Sequence, residues 1–369
     1  MKLVIDKDIP FIKGVFEPFG EVLYCSGSEI NRSVIKDADG LIIRTRTKCT
    51  ESLLEGSPIR FIASATIGTD HVDLPYCLSR GIHFSNAAGC NSLAVMQYVF
   101  TALFSLAGTG KFSLGYGSFA FREGVQTIGV IGVGNVGSKV AAFGEYLGFK
   151  VLRNDPPREA AQRDALKRGE IREEEAVGFC SIEKILDCSD IITLHVPLTQ
   201  TTENMADESF FGKMKKGAVL INSSRGEVVE ENALIRNRER LSALVLDVWR
   251  GEPAINGRLL SLTDIATPHI AGYSVEGKAR GTLMVIEAAA RYFGIEPLIE
   301  YKIPVEAYDP SLTPRLDLKG KSCREIYEEL YTIFPIFDLD RLLKENIGEF
   351  ERIRSNYNLR REFHVNPER

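Results

Sequence analysis

The run Thr127-Ile128-Gly129-Val130-Ile131-Gly132-Val133-Gly134-Asn135-Val136-Gly137 decides how the rest of the chain is read. A short apolar stretch (Ile128, Val130, Ile131) has the composition of a buried strand and runs into Gly132-x-Gly134-x-x-Gly137. Val136, Val140, Phe143 and Leu147 then recur at helical spacing, and a second β-like run, Phe149 to Leu152, ends at Asp155. Strand, glycine turn, helix, strand and acidic residue in that order form the pattern of a dinucleotide site. Gly132 permits the tight turn, Gly134 lets backbone approach a pyrophosphate, and Gly137 lets the helix pack close to the strand. The helix start adds N–H groups and the positive end of its dipole. Asp155 follows Gly137 by 18 residues, close to the spacing of an acid that binds the adenosine ribose hydroxyls. A carboxylate there repels a 2′-phosphate, so NAD is expected rather than NADP. Arg153 and Arg158, flanking Asp155, are the one feature that points the other way. The bland alternative is a tight βα turn with no ligand; the flanking strands, helix and acid weigh against it.

With 369 residues the chain is long enough for two or three domains with their own cores. A hydrophobic share of 44% and a charged share of 26% are ordinary for globular proteins, and the net charge of -5 offers no basic footprint for nucleic acid. No apolar run is long enough to span a bilayer, so no membrane partner is expected. Charges inside Met1-Lys2-Leu3-Val4-Ile5-Asp6-Lys7-Asp8 make this a first strand and not a signal peptide. The seven cysteines are scattered, without C-x-x-C, which suggests free thiols in a reducing cytoplasm. His and Cys do not cluster at ligand spacing, so no metal is expected.

Upstream of the glycine turn, residues 2 to about 90 alternate strands with helical stretches; Leu3–Ile5, Glu21–Cys25, Leu41–Arg44 and Phe61–Ala63 are the expected strands. Downstream the rhythm resumes with Ile191–Leu194, Ala218–Ile221, Leu244–Leu246 and Ile265–Ala266 as strands. Helices are expected at Ile182–Leu186, Asp207–Met214 and Glu230–Arg240, and in the charged segment at Glu159–Lys167 and Glu170–Ala176. This is the alternation of an α/β protein with doubly wound parallel sheets. Helices also fit Asn91 or Ser92 to Leu106, Ser274 to Phe293 with Gly294 as its stop, and residues 322–333 and 338–346. Glycines at 108, 110, 115, 117 and 124 read as a loop between domains. Ligands of such sheets sit at the carboxyl ends of strands. Two early strand-end loops stand out: Arg44-Thr45-Arg46-Thr47-Lys48 and Ser64-Ala65-Thr66-Ile67-Gly68-Thr69-Asp70-His71. The cations of the first fit an anion site or a solvated surface equally well.

Hydride transfer needs a cation for the substrate carboxylate, a base for the hydroxyl proton, and a group that orients and charges that base. Among five histidines, His269 is best placed, after Pro268 at a late strand end. Glu252, in Trp249-Arg250-Gly251-Glu252-Pro253, lies on the loop after the preceding strand and would fix the imidazole tautomer. Arg225 lies on a third strand-end loop and can bind a carboxylate bidentately. Each alone fits a structural role; three at successive strand ends favour catalysis. His71 and His195 fit structural or supporting roles, and His83 and His364 carry no signal.

These same stretches, Gly132-Val133-Gly134-Asn135-Val136-Gly137, Asn222-Ser223-Ser224-Arg225-Gly226-Glu227, Leu246-Asp247-Val248-Trp249 with Glu252-Pro253, and Thr267-Pro268-His269-Ile270-Ala271-Gly272, resemble the D-isomer-specific 2-hydroxyacid dehydrogenases. Asp155-Pro156-Pro157-Arg158 and Gly272-Tyr273-Ser274-x-Glu276-Gly277-Lys278-Ala279-Arg280-Gly281 are far more specific than the glycine motif, and narrow the resemblance to a branch acting on a phosphorylated 2-hydroxy acid. The resemblance implies a flavodoxin-like catalytic lobe (1–92 with 268–295), a Rossmann NAD lobe (93–267) with NAD in the cleft, and a small α+β segment (296–369) that makes a homodimer. It implies Arg225, Glu252 and His269 as the catalytic set. Its NAD set falls on Gly132, Gly134, Asn135, Val136, Gly137 and Asp155, and on Val196, Ser223, Ser224, Arg225, Asp247 and Gly272. Val196 stands where related enzymes often have Thr, which leaves a backbone contact there. Its substrate set falls on Thr45, Thr66 and Tyr273; Arg44, Arg46, Lys48 and Tyr273 are the candidates for the phosphate. Arg354, Arg360 and Arg361 form a second basic cluster that could reach the phosphate from a partner subunit. Another hydroxy acid as substrate, or a non-catalytic NAD-binding protein on the same fold, are the alternatives.

Overall fold

The computed structural model describes residues 1–114, 126–303 and 310–365. The chain divides into two compact units, Met1–Asn91 with Tyr273–Leu312, and Ser92–Gly272 with Thr313–Arg369. Of the expected third segment, the part up to Leu312 groups with the first unit and the remainder with the second. The glycine-rich loop expected at 108–124 begins only after a helix that runs Ser92–Gly108, and its positions 115–124 lie outside the described residues.

The first unit is a five-stranded parallel sheet: β1 (Lys2–Asp6), β2 (Glu21–Cys25), β3 (Gly40–Ile43), β4 (Phe61–Ser64) and β5 (His83–Asn86), in the order β2-β1-β3-β4-β5. β3 and β4 are buried along their whole length, as strands covered on both faces must be. The chain leaves β1 on one side for β2 and returns on the other for β3, which puts the topological switch point at the carboxyl ends of β1 and β3. The Val275–Phe293 helix lays Val285, Ile286, Ala289 and Ala290 against Leu3, Ile5, Phe61 and Ala63. Ser274 Oγ caps it by accepting from Gly277 N at 2.9 Å, and Gly294, at φ 70°, ends it.

Two expectations need correcting here. β5 has one strongly apolar residue, Phe84, and sits half-covered at the sheet edge, so its sequence gave no strand signal. His83 stacks on Phe61 and Tyr292 at 5.8 and 5.4 Å between ring centroids, a packing role. The β1–β2 connection contains no α-helix. Pro10, Gly14 and Pro18 interrupt it, leaving one 3₁₀ turn (Glu17–Phe19), while Ile9, Ile12, Val15 and Phe16 cover the sheet as loop residues.

The second unit carries six parallel strands, β6 (Thr127–Ile131), β7 (Lys150–Asn154), β8 (Ile191–Leu194), β9 (Val219–Asn222), β10 (Ala243–Leu246) and β11 (Ile265–Ala266), ordered β11-β10-β9-β8-β6-β7. Its switch point lies between β6 and β8, where the glycine turn leaves β6. β11 is a two-residue edge strand, and Ala266 N donates outward to Asp340 Oδ1 at 2.8 Å, from the Ile336–Glu345 helix. That contact closes an edge that would otherwise leave unpaired backbone. The Cys323–Ile333 helix packs on the Ser92–Gly108 helix at Gly108, where a Cβ would meet Tyr327 Cβ at 2.5 Å. The C-terminal residues add a helix, Phe350–Ser355, and a parallel pair, β12 (Arg315–Leu316) with β13 (His364–Val365). In the charged segment the helix starts at Pro156, three residues earlier than expected, because Asp155 caps it. Glu170–Ala176 forms a single 3₁₀ turn (Glu173–Glu175), having no apolar stripe to bury. Among the described residues no helix is long and apolar enough to cross a membrane.

Candidate active site

In the glycine turn after β6 the packing explains two of the three glycines. At Gly132, φ is +85°, and a Cβ there would lie 2.6 Å from the His195 carbonyl carbon and 2.8 Å from Val196 N. A Cβ at Gly137 would overlap the Gly132 carbonyl. Around Gly134 nothing lies within 4 Å of a Cβ position. Two glycines are therefore demanded by the protein's own packing. The third leaves open space at the start of the Asn135–Tyr146 helix, which has no side-chain cap. An anion fits such an end.

Asp155 stands at the end of β7 beside this turn. Its Oδ2 accepts from Val133 N at 2.8 Å and its Oδ1 from Arg158 N at 3.0 Å, which uses two of its roughly four acceptor positions. The flanking cations are engaged within the protein: Arg153 pairs with Glu145 at 2.7 Å, and Arg158 donates to the Val133 carbonyl. On the loop after β9, Asn222 Oδ1 accepts from Ser224 N and Oγ at 3.0 and 2.8 Å, and Asn222 Nδ2 donates to Arg225 O at 2.9 Å. The side-chain amide folds this loop and turns Arg225 out of the strand. Ser223 Oγ is buried and has no hydrogen-bond partner among the described residues, the kind of orphan that a bound molecule satisfies. Gly226 has no room for a Cβ because the backbone of Trp249 and Arg250 occupies it, so this loop packs directly on the loop after β10.

That next loop bears Glu252. Its Oε1 accepts from Trp249 N at 2.9 Å, and its Oε2 faces His269 Nδ1 at 2.8 Å. Burial opposes the charge on Glu252. The hydrogen bond and charge of His269, the Trp249 N–H and the nearby Arg354 outweigh it and hold the carboxyl below its ordinary range. An ionised carboxylate only accepts, so the imidazole proton belongs on Nδ1 and the lone pair on Nε2.

The loop carrying His269 is itself braced. His269 adopts φ +58°, a left-handed conformation uncommon outside glycine and asparagine. Its N–H donates to Asp247 O at 2.7 Å. The buried Asp247 carboxylate accepts from Thr267 Oγ1 (2.6 Å), Ile270 N (2.8 Å) and Ala271 N (2.9 Å). Burial pushes the Asp247 carboxyl up, against the charge of His269 and these three bonds. Trp249 Nε1 donates to Thr267 O at 2.9 Å, and Tyr98 shares a 2.8 Å bond with Thr267 Oγ1. His195 bonds Thr193 Oγ1 through Nε2 at 2.9 Å, and burial of its ring pushes its pKa down to about 3.

In the first unit, Arg44 is half-buried and its charge is already met: it bonds Asp6 at 3.0 and 3.3 Å and Asp8 at 2.8 Å. Thr45 and Arg46 are exposed beside it. Thr66 Oγ1 bonds Ser64 Oγ at 2.8 Å, and that hydroxyl meets the buried His71 Nε2 at 3.2 Å. Tyr273 lies under Lys278 Nζ, 3.9 Å from its ring centroid. Gly272 closes the other unit's loop.

Arg354 and Arg360 belong to the basic cluster, with Arg361, that could reach a partner's substrate. In the structure both turn to their own chain. Arg354 Nη1 is 3.8 Å from Glu252 Oε2, and Arg360 is buried with Nη2 donating to Ala94 O and Ala271 O at 2.7 and 2.8 Å. Their basic character is visible in the sequence; their targets, 89 to 266 residues away, carry no local signal.

A doubly wound unit with a glycine turn at its switch point, and a carboxylate-oriented imidazole at the ends of neighbouring strands, defines a dinucleotide-dependent dehydrogenase. Residues 120–271 match the family profile described as "D-isomer specific 2-hydroxyacid dehydrogenase, NAD binding domain". The chain belongs to the D-isomer-specific 2-hydroxyacid dehydrogenase family. It is 44% identical over 371 aligned positions to an erythronate-4-phosphate dehydrogenase of Bacteroides fragilis, covering 98% of this chain and 97% of that one. It is 39% identical to the enzyme of that name from Escherichia coli O157:H7, covering 98% and 92%. Among solved structures it is similar to D-lactate dehydrogenase from Aquifex aeolicus complexed with NAD and lactic acid, with TM-score 0.64 and 28% identity over 81% of this chain and 98% of that one. It is also similar to NAD-bound 3-phosphoglycerate dehydrogenase of Entamoeba histolytica, with TM-score 0.61 and 25% identity over 82% and 98%.

Proposed function

We propose that this chain oxidises 4-phospho-D-erythronate to (R)-3-hydroxy-2-oxo-4-phosphooxybutanoate with NAD, a step toward pyridoxal 5′-phosphate. The observation that carries this reading is the 2.8 Å Glu252–His269 pair, in a chain similar along nearly its full length to erythronate-4-phosphate dehydrogenases. NAD, when bound, supplies the hydride acceptor. We assign its pyrophosphate to the open space at Gly134 and the Asn135–Val136 helix start. Its ribose goes to Asp155, and its nicotinamide end to the Val196 backbone, Ser223, Ser224, Arg225, Asp247 and Gly272. The orphaned Ser223 hydroxyl supports that assignment.

His269, neutral and with its Nδ1 proton held by Glu252, takes the C2 hydroxyl proton on Nε2. The imidazolium so formed is stabilised by the carboxylate. Arg225 binds the C1 carboxylate, where a guanidinium fork suits two oxygens. From the first unit we assign Thr45, Thr66 and Tyr273 to the substrate. Arg46 is a better candidate for the phosphate than Arg44, which Asp6 and Asp8 neutralise. We assign residues 1–92 with 268–295 to substrate binding, 93–267 to NAD and 296–369 to dimerisation. A homodimer is supported by the exposed apolar side chains Tyr331, Leu342 and Ile347 in the last segment. A cytoplasmic location is supported by seven free cysteines.

The test is NAD reduction with 4-phospho-D-erythronate, D-erythronate and 3-phosphoglycerate, followed over one turnover and over many. Reduction confined to the phosphorylated four-carbon acid bears the reading out. Comparable or faster reduction of another acid removes the substrate assignment and keeps the chemistry. NAD binding without turnover on any acid removes the catalytic reading.

A further inference from the structure

The C-terminal residues 350–363 hold four arginines, and two of them, Arg354 and Arg360, reach the catalytic loops without a part in the chemistry above. Arg360 is buried, and its Nη2 donates both to Ala94 O in the Ser92–Gly108 helix (2.7 Å) and to Ala271 O (2.8 Å), two residues beyond His269. Its guanidinium lies over the Phe334 ring, 4.5 Å from the centroid, and Tyr357 bonds it from the side. A buried cation is costly unless its donors are met. Here two backbone carbonyls meet Nη2, and an aromatic face and a phenol lie against the same guanidinium, while its buried Nε makes no hydrogen bond among the described residues. The two carbonyl bonds tie a core helix to the catalytic loop. Six residues earlier in the sequence, Arg354 places Nη1 3.8 Å from Glu252 Oε2, the same oxygen that faces His269 Nδ1. The spacing is too long for a direct hydrogen bond and short enough for a strong field. Arg354 is also 3.9 Å from Glu351, so its charge is shared between the two carboxylates. A third tie, from Asp340 to Ala266 N, fixes the strand that leads into the loop.

We infer that the C-terminal segment braces the acid–base pair of its own chain, with Arg360 positioning the backbone behind His269 and Arg354 setting the charge that Glu252 presents to it. The inference rests on the reading of Glu252 and His269 as the acid–base pair. The charged groups facing that pair are Asp247 behind His269 and Arg354 beside Glu252, with Glu351 behind Arg354. Arg354 offsets part of the carboxylate's pull on the imidazolium. Without it Glu252 stabilises the imidazolium more, so the base is lost at higher pH. The acid limb of the kcat/KM profile then moves up.

The experiment uses the full-length enzyme and follows NAD reduction by 4-phospho-D-erythronate from pH 5.5 to 9, with NADH binding and melting temperature measured alongside. Arg354→Met is expected to move the acid limb up by roughly one pH unit, discounted for partial exposure, with NADH affinity unchanged. Arg354→Lys keeps the charge and restores the limb. Arg360→Lys reaches at most part of the two-carbonyl geometry, and is expected to lower kcat about tenfold with the KM for the hydroxy acid held within twofold, in line with one weakened charge-assisted hydrogen bond. An acid limb unmoved in both Arg354→Met and Arg354→Gln overturns the inference. So does a KM rise confined to the phosphorylated acid with the pH profile in place, which would make Arg354 a substrate contact. Should the unaltered enzyme reduce no NAD with any of the acids, the functional reading itself falls; turnover by the unaltered enzyme with an unmoved limb in the variants defeats only the brace.

Discussion

Glu252→Gln changes one atom of the site and should separate orientation from mere packing. The carboxylate now accepts on both oxygens, from Trp249 N at 2.9 Å and from His269 Nδ1 at 2.8 Å. A glutamine has one acceptor. If its oxygen stays with Trp249, its amide donates to Nδ1, and the imidazole proton must move to Nε2, the position the base needs empty. If the amide turns over, its NH₂ confronts the Trp249 N–H, and a largely buried donor goes unmet at about 1–3 kcal/mol. In both cases the imidazolium formed during proton transfer loses a charged acceptor, worth about 1.5–3 kcal/mol. Together these give a barrier increase of about 3–4 kcal/mol, or two to three orders of magnitude in turnover at about 1.4 kcal/mol per factor of ten. The sign with pH also follows. Glu252 favours the protonated imidazole, so its neutralisation makes that proton harder to acquire, and the acid limb moves to lower pH, opposite to Arg354→Met. Single-turnover stopped-flow measurement of NADH formation, with substrate deuterated at C2 to confirm that hydride transfer is being observed, reads both quantities. A rate within about threefold of the unaltered enzyme and an unmoved acid limb would refute the reasoning.

Four further expectations follow from the geometry. His269→Ala should cut turnover by about 10²–10⁴ while NADH binding, followed by fluorescence, persists. Arg225→Lys keeps a charge without the fork, so kcat/KM should fall about 10–100-fold on steady-state measurement. Gly137→Ala drives a Cβ into the Gly132 carbonyl and should lower stability by about 1–3 kcal/mol in a thermal melt, whereas Gly134→Ala meets only open space and should weaken NADH binding with its melting temperature nearly unchanged. His195 takes up a proton readily in the unfolded chain below its ordinary value of 6.5, but in the folded chain only near 3, so its contribution to stability is lost as pH falls through that window. The limiting slope is about 1.4 kcal/mol per pH unit, reduced because the residue is partly exposed, and His195→Gln should flatten the urea-midpoint profile between pH 7 and 4.

The parts of this molecule that were legible in its sequence share one property: their signal is local. β6, its glycine turn and the helix after it lie within 20 residues of each other, and each glycine's task can be worked out from the spacing. β8 and β11 are legible to the residue because continuously buried parallel strands are dominated by apolar residues, the buried Thr193 being the one polar residue in these two. Glu252 and His269 stood out because polar residues at strand ends are conspicuous against such runs. Where burial was partial the signal vanished, as in β5, whose exposed positions are free to be polar. Glu170–Ala176 has a helix-forming composition without an apolar face, and propensity alone does not sustain a short helix.

Support of the pair was invisible for a different reason. Asp247 reads as a strand-end polar residue whichever way its carboxylate points; only the fold shows it gathering Thr267, Ile270 and Ala271 behind His269 and holding that residue at positive φ. A left-handed histidine costs about 1–2 kcal/mol of backbone strain, which a loop bonded this densely can sustain and an unbraced one would relax. Arg360 serves the same loop through the Ala271 carbonyl, a group that every residue type possesses, so no pairing of side-chain chemistry links the two in the sequence. The reacting groups had to be particular residues and left a readable trace. The groups that hold them act largely on backbone, so their identity follows from where the chain returns and not from what it returns to.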